Sequence, residues 1–136
     1  MKDNIIQNKS FDFALKIIQL YSIMIKTNEY VLSKQLLKSG TSIGANVEES
    51  LAAQSSRDFI SKLSIAAKEA RETRYWLRLL ERSQIINQDY KDYLNEIESI
   101  LNILYAIIKT TQKKVFSKLA IFSISIFSLI VILNLI

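Results

Sequence analysis

Gln35-Leu36-Leu37-Lys38-Ser39-Gly40-Thr41-Ser42-Ile43-Gly44-Ala45-Asn46-Val47-Glu48-Glu49 holds both glycines of a chain that contains no proline. Strong helix formers precede the glycine patch (Gln35, Leu36, Leu37, Lys38) and follow it (Glu48, Glu49, Leu51, Ala52, Ala53). Residues four apart on a helix share a face, so Gly40 and Gly44 would form a smooth strip where a second backbone can come close. Each glycine costs about 1 kcal/mol relative to alanine inside a helix, and a close approach would have to offset that. The competing reading makes Ser39-Gly40-Thr41-Ser42 a loop between two short helices. Leu36, Ile43 and Val47 keep a helical spacing through the patch and favour one continuous helix over residues 30–54.

Outward from this stretch the chain is patterned for helices. Ser10 is a good N-cap for a first helix over residues 10–26. Its face is expected to comprise Ala14, Ile17, Tyr21 and Met24, with Phe11, Ile18 and Ile25 beside them. Thr27-Asn28-Glu29 breaks the pattern. After residue 54, Ser55 or Ser56 is a capping candidate for a third helix, in which Phe59, Leu63, Ala66, Ala70, Thr73, Leu77 and Leu80 alternate spacings of four and three. The middle of that seam is small, as is the glycine patch, so Ala66 and Ala70 are expected to pack against Gly40 and Gly44. A polar link over residues 83–89 leads to a fourth seam of Tyr90, Leu94, Ile97, Leu101, Leu104 and Ile108. Four amphipathic helices with short links predict an all-α, antiparallel up-down-up-down four-helix bundle over residues 10–114, preceded by an arm over residues 1–9.

Composition narrows the chemistry. Among 136 residues there is neither cysteine nor histidine, so thiolate metal sites and histidine-based acid–base catalysis have no residues to use. No cofactor is expected, and no base–nucleophile pair suggests an enzyme. Glu48, Glu49, Glu69 and Glu72 could suggest a di-iron site, but that site type needs Glu-x-x-His pairs. Glu48 or Glu49 is instead expected to pair with Arg71 or Arg74, setting the register of helices two and three. Gly40-Thr41-Ser42-Ile43-Gly44 lacks the Gly-Lys-Ser/Thr ending of a phosphate loop.

The net charge is +5, from 18 basic and 13 acidic residues. Lys62, Lys68, Arg71, Arg74, Arg78 and Arg82 share the third helix, and repeated around a ring of subunits they would make a basic surface for RNA or DNA. Tyr75 and Trp76 among them could stack bases, although a packing role at a helix or subunit interface is the favoured assignment for Trp76. The first residues carry no apolar signal core, so the bundle is expected in the cytoplasm. Residues 119–136 are uncharged and mostly Ile, Leu, Phe and Ser. At about 1.5 Å per residue they span about 27 Å, close to the hydrocarbon thickness of a bilayer. Lys109, Lys113, Lys114 and Lys118 precede them, as on the cytoplasmic side of a membrane anchor. The other readings of residues 115–136 are an extra hydrophobic helix buried in an oligomer, or a segment without a working role.

Two stretches carry more than periodicity. Gln35 to Glu49, as quoted above, and Phe59-Ile60-Ser61-Lys62-Leu63-Ser64-Ile65-Ala66-Ala67-Lys68-Glu69-Ala70-Arg71-Glu72-Thr73-Arg74-Tyr75-Trp76-Leu77 resemble the small four-helix bundle proteins encoded in intervening sequences of 23S ribosomal RNA. The resemblance spans residues 11–114. It implies an antiparallel bundle that assembles into a homo-oligomer, typically a pentamer. It also implies similarity to the accessory variability determinant of diversity-generating retroelements, which presents basic surface to nucleic acid and a reverse transcriptase. The segment after Lys118 departs from the family pattern. The reading that results is a non-enzymatic bundle that binds nucleic acid or acts as a scaffold. The alternative is a membrane-tethered interaction module.

Overall fold

The computed structural model describes residues 4–134. Among them are four α-helices and no strand: α1 (Ile5–Lys26), α2 (Leu32–Leu51), α3 (Ser56–Ser83) and α4 (Lys91–Asn134). Close approaches join α1 to α2, α2 to α3, α3 to α4 and α4 back to α1, whereas the diagonal pairs stay apart. The core therefore lies inside a four-sided arrangement.

The expected start of α1 is corrected. Asn4 is the cap, its side chain accepting from the Gln7 N–H at 3.3 Å, so residues 5–9 are helix and not an arm. Ser10 lies inside the helix, buried, with its hydroxyl donating to the Gln7 carbonyl at 3.1 Å. The inward face is also rotated from expectation. Ile6, Phe13, Ile17, Leu20 and Met24 are buried, while Phe11 and Ile18 are exposed. Apolar residues cover so much of α1 that periodicity alone does not choose the inward side.

Asn28, at φ 62°, ends α1 in the left-handed region, which asparagine tolerates better than most residues. The next helix starts on Glu29, whose carboxylate accepts from the backbone N–H groups of Val31, Leu32 and Ser33 at 2.7–3.0 Å. Burial alone would push this carboxyl up. The N–H donors from Leu32, Ser33 and Val31 outweigh it and hold the group below its ordinary value.

The glycine patch is helix without a break, and neither glycine has positive φ. Its partner is α1, which corrects the expected pairing with Ala66 and Ala70. A Cβ on Gly40 would lie 2.9 Å from both Ile17 Cγ1 and Cγ2, and one on Gly44 would lie 3.4 Å from the Ser10 carbonyl oxygen. The α2–α3 contact is made on another face of α2, where Thr73 Oγ1 lies 3.0 Å from Ser39 Oγ. Both hydroxyls are buried, and both also reach carbonyls of their own helix, Glu69 and Leu36. This arrangement leaves neither of these two hydroxyls orphaned between α2 and α3.

The α3 seam is as expected: Leu63, Ala66, Ala70, Thr73, Leu77 and Leu80 are buried, and Ser55 caps the helix by accepting from the Asp58 N–H at 3.0 Å. Gln84, at φ 54°, stops it. In α4, Ile97, Ile100, Leu101 and Leu104 fill the core. The hydrophobic end is not an extra helix. It continues α4 without interruption for 44 residues in all, about 66 Å at 1.5 Å per residue.

The two glycines should respond differently to alanine. Gly40→Ala pushes a methyl group into the β-branched, fully buried Ile17, and overpacking of this kind costs about 1–3 kcal/mol. Gly44→Ala meets only an ordinary contact and gains helix propensity, for a stabilisation of up to about 1 kcal/mol. Urea unfolding of the two variants beside the parent chain measures both.

Glu29→Gln weakens the α2 start by about 1 kcal/mol, the usual scale of a lost helix cap. The native carboxyl titrates lower in the folded chain than in the unfolded one. Its contribution is therefore complete above the unfolded carboxylate value and is lost as pH falls through the folded value. The stability gap between parent and variant should narrow on acidification through that window. A gap that stays constant would contradict this role.

Candidate functional site

The six basic residues singled out on α3 do not form one face. Lys62 shares a helical face with Glu69, Thr73 and Trp76, and that face meets α2 through Thr73 and Ser39. Lys68, Arg71, Arg78 and Arg82 are exposed and follow the flank nearer α4, with Arg74 half-buried among them. Over this flank the five cations from Lys68 to Arg82 extend about 21 Å along the helix.

Two of the five are engaged. Arg74 Nη1 donates to Glu98 Oε1 at 2.7 Å, and Arg71 Nη1 donates to the Tyr105 hydroxyl at 2.9 Å. The difference matters for an anionic ligand. Glu98 neutralises Arg74, whereas the phenol hydroxyl orients Arg71 and leaves its positive charge in place. These partners replace the expected pairs of Glu48 or Glu49 with Arg71 or Arg74. Glu48 accepts from Gln7 Nε2 at 3.0 Å, and both ion pairs among the described residues, Arg74–Glu98 and Lys16–Glu96, join α4 to a neighbouring helix.

Lys16 belongs to the α1–α4 seam. Its ammonium bonds Glu96 and lies 5.8 Å from the centre of the Tyr93 ring. The Glu96 hydrogen bond raises the lysine value against the opposing effect of burial. These contacts bridge the side of the bundle where two helices approach least.

Trp76 is half-buried against the core. Its Nε1–H donates to Glu72 Oε1 at 3.3 Å, and the Tyr75 ring meets it edge-on at 5.1 Å. Tyr75 is exposed. Of the two aromatic rings, it is the one open to stacking. Among the described residues no cluster of three or more carboxylates gathers as a metal site. Glu48 and Glu72 are turned to separate amide and indole donors.

The other candidate surface is the end of α4. Thr111 and Val115 are the last residues of this helix with partial burial, and every described residue from Phe116 onward is exposed. Large apolar side chains point outward on all sides of it, among them Phe116, Leu119, Phe122, Phe127 and Leu133. By length and composition the segment could cross a membrane, and none of its most apolar window is buried. Ser123 and Ser125 donate to the Leu119 and Ile121 carbonyls at 3.0 and 3.1 Å, so their hydroxyls need no outside partner.

The family model described as 23S rRNA-intervening sequence protein matches residues 2–106. The chain belongs to this family. A crystal structure of a protein with unknown function from the S23 ribosomal protein family, from Bacteroides thetaiotaomicron VPI-5482, is 48% identical, with a TM-score of 0.74. The alignment covers 98% of that chain and 76% of this one. No curated protein matches. The family match thus takes in the glycine patch and the cations of α3, and it ends at residue 106, before the exposed apolar part of α4.

Double-mutant cycles distinguish the observed ion pair from the expected one. With half-exposed partners, Arg74 and Glu98 should couple by about 0.2–1 kcal/mol. Arg74 and Glu49 should show no coupling above the error of the denaturation measurements.

Proposed function

We propose that this member of the 23S rRNA-intervening sequence protein family is a non-enzymatic, antiparallel up-down four-helix bundle that works as a membrane-tethered interaction module. One observation carries the reading: α4 leaves the bundle without a break and becomes a fully exposed apolar helix. An exposed helix that is apolar all round requires a partner phase, either a membrane or a protein core. Lys109, Lys113, Lys114 and Lys118 precede the apolar segment, and no acidic residue follows Glu98. That bias holds the bundle on the cytoplasmic side.

The up-down topology is supported by paired contacts. Gln7 meets Glu48, and a Cβ on Gly44 or Gly40 would meet Ser10 or Ile17 respectively, so numbering rises on α1 as it falls on α2. Arg71 meets Tyr105 while Arg74 meets Glu98, the same opposition between α3 and α4.

A second reading concerns the α3 flank. Lys68, Arg71, Arg78 and Arg82 have no acidic partner among the described ion pairs, and Tyr75 is exposed nearby. This arrangement favours nonspecific binding of RNA or DNA, strengthened if copies of the chain assemble into a ring. Lys62 and Arg74 contribute less, one by position and one by neutralisation. The two readings are compatible, since the cations and the apolar segment occupy different parts of the molecule.

Carbonate extraction of membranes from cells making the full chain tests the tether. The full chain should stay in the pellet, and a chain ending at Lys114 should be released. Release of both would overturn the tether reading. For the α3 flank, filter binding at about 50 mM salt should retain RNA or DNA, and retention should fall steeply by about 200 mM as counterion release predicts. Arg71→Gln with Arg78→Gln should remove most of it. No retention at the lower salt would overturn the nucleic-acid reading.

A further inference from the structure

We infer that the bundle rests end-on against the bilayer, with the face formed by the α2–α3 connection and the α4 exit in contact with anionic phospholipid headgroups. This inference builds on the tether and the antiparallel topology proposed above. It assigns the membrane surface as the partner of one end of the bundle.

The argument rests on level. Helices rise equally per residue, so with α3 and α4 antiparallel, each step back along α3 matches a step forward along α4. Starting from the contacts Arg71–Tyr105 and Arg74–Glu98, the beginning of α3 at Ser56 comes level with about residues 116–120 of α4. Burial points to the same place, because Thr111 and Val115 are half-buried and nothing beyond Val115 is covered. The start of α1 lies at this end of the bundle but stops short of the face, since Lys16 meets Glu96 and Ile5 then comes level with about residue 107 of α4. There is consequently no free stalk between bundle and apolar segment. The bundle ends three residues before Lys118, and the uncharged run begins at the next residue.

The side chains gathered at this level suit an interface of headgroups and acyl chains. Leu51 and Phe116 are exposed apolar residues, from two different helices. Around them stand Arg57, Lys113, Lys114 and Lys118, all exposed. Glu48, Glu49 and Asp58 are the acidic residues nearby, and against the four cations the balance remains basic by one charge. Apolar side chains that dip below the headgroups, ringed by cations at the phosphates, make a surface that distinguishes anionic from zwitterionic lipid. The α4 exit also sets the attitude of the bundle. Neither glycine nor proline occurs in α4, and sharp helix kinks arise almost always at such residues or at bulges. The end face is therefore presented to the surface, not a side of the bundle.

The chain has no cysteine, so a single introduced thiol carries a unique probe. Gln54→Cys places one in the α2–α3 connection, and Asn87→Cys places one in the α3–α4 connection; both positions are exposed. Each labelled full-length chain is reconstituted into vesicles of phosphatidylcholine with phosphatidylglycerol that contain a headgroup-linked quencher. Flotation with the vesicles is scored first, and chains that fail to float overturn the tether and this inference together. Among floating chains, the probe at position 54 should lose much more emission than the probe at position 87. Equal loss at both positions, or greater loss at 87, overturns the end-on contact and leaves the tether standing. Arg57→Gln combined with Lys113→Gln and Lys114→Gln should reduce the loss at position 54 toward that seen in pure phosphatidylcholine vesicles. Unchanged loss would overturn the assignment of these cations to the headgroups.

Discussion

The approach of α1 to α2 at Gly40 is the constraint on which the fold most depends. Ile17 fills the space a Cβ would take, and the two helices can come this close only because α2 has no side chain there. Ile17, Leu36 and Ile43 are all fully buried, so the contact lies in the middle of the core. Further along the same pair of helices, Gly44 clears the backbone at Ser10. Gly40 thus holds α2 close along α1, where an alanine at position 44 would still fit, and the other side of α2 is left to meet α3. The helix-propensity cost of Gly40, about 1 kcal/mol, is offset by this packing.

The second feature of the core is its complement of small hydroxyls. Ser10, Ser33, Ser39, Ser50 and Thr73 are buried among aliphatic side chains, and each donates to a carbonyl three or four residues back in the chain. A serine used in this way occupies little volume and makes no demand on the neighbouring helix. These residues therefore work as small spacers at helix contacts, and their polarity is handled locally. Thr73 and Ser39 alone also meet each other across an interface.

Sequence patterning was most informative where an apolar stripe is narrow. The seams of α3 and α4 could be read almost residue by residue, because charged residues mark the outward sides. On α1 the apolar residues wrap too far around the helix, and Phe13 and Leu20 took the inward places expected of Ala14 and Tyr21. The continuous helix through the glycines was legible, but its partner was not. Small residues on α3 looked complementary to the patch, whereas the structure pairs the gap with a branched side chain on α1. Ion pairing failed for a related reason. Whether Arg74 finds Glu49 or Glu98 depends on the register between helices, and sequence spacing within each helix does not set it. Lys62 shares the charge of the other α3 cations, but its helical angle turns it toward α2 and away from the stripe that the spacing of Lys68, Arg71, Arg74, Arg78 and Arg82 describes.

The unbroken course of α4 also has a mechanical side. In a bilayer, membrane helices adopt tilts of about 20° on average and adjust them to the thickness around them. A helix without a joint turns such an adjustment into rotation of everything fixed to its other end. The part of α4 from Lys91 to Val115 is a lever arm of about 36 Å, and a change of tilt by about 20° would sweep its far end through about 12 Å. The connection between α3 and α4 sits at that far end. Under the proposed tether, bilayer thickness would in this way become a displacement of the end of the bundle farthest from the membrane.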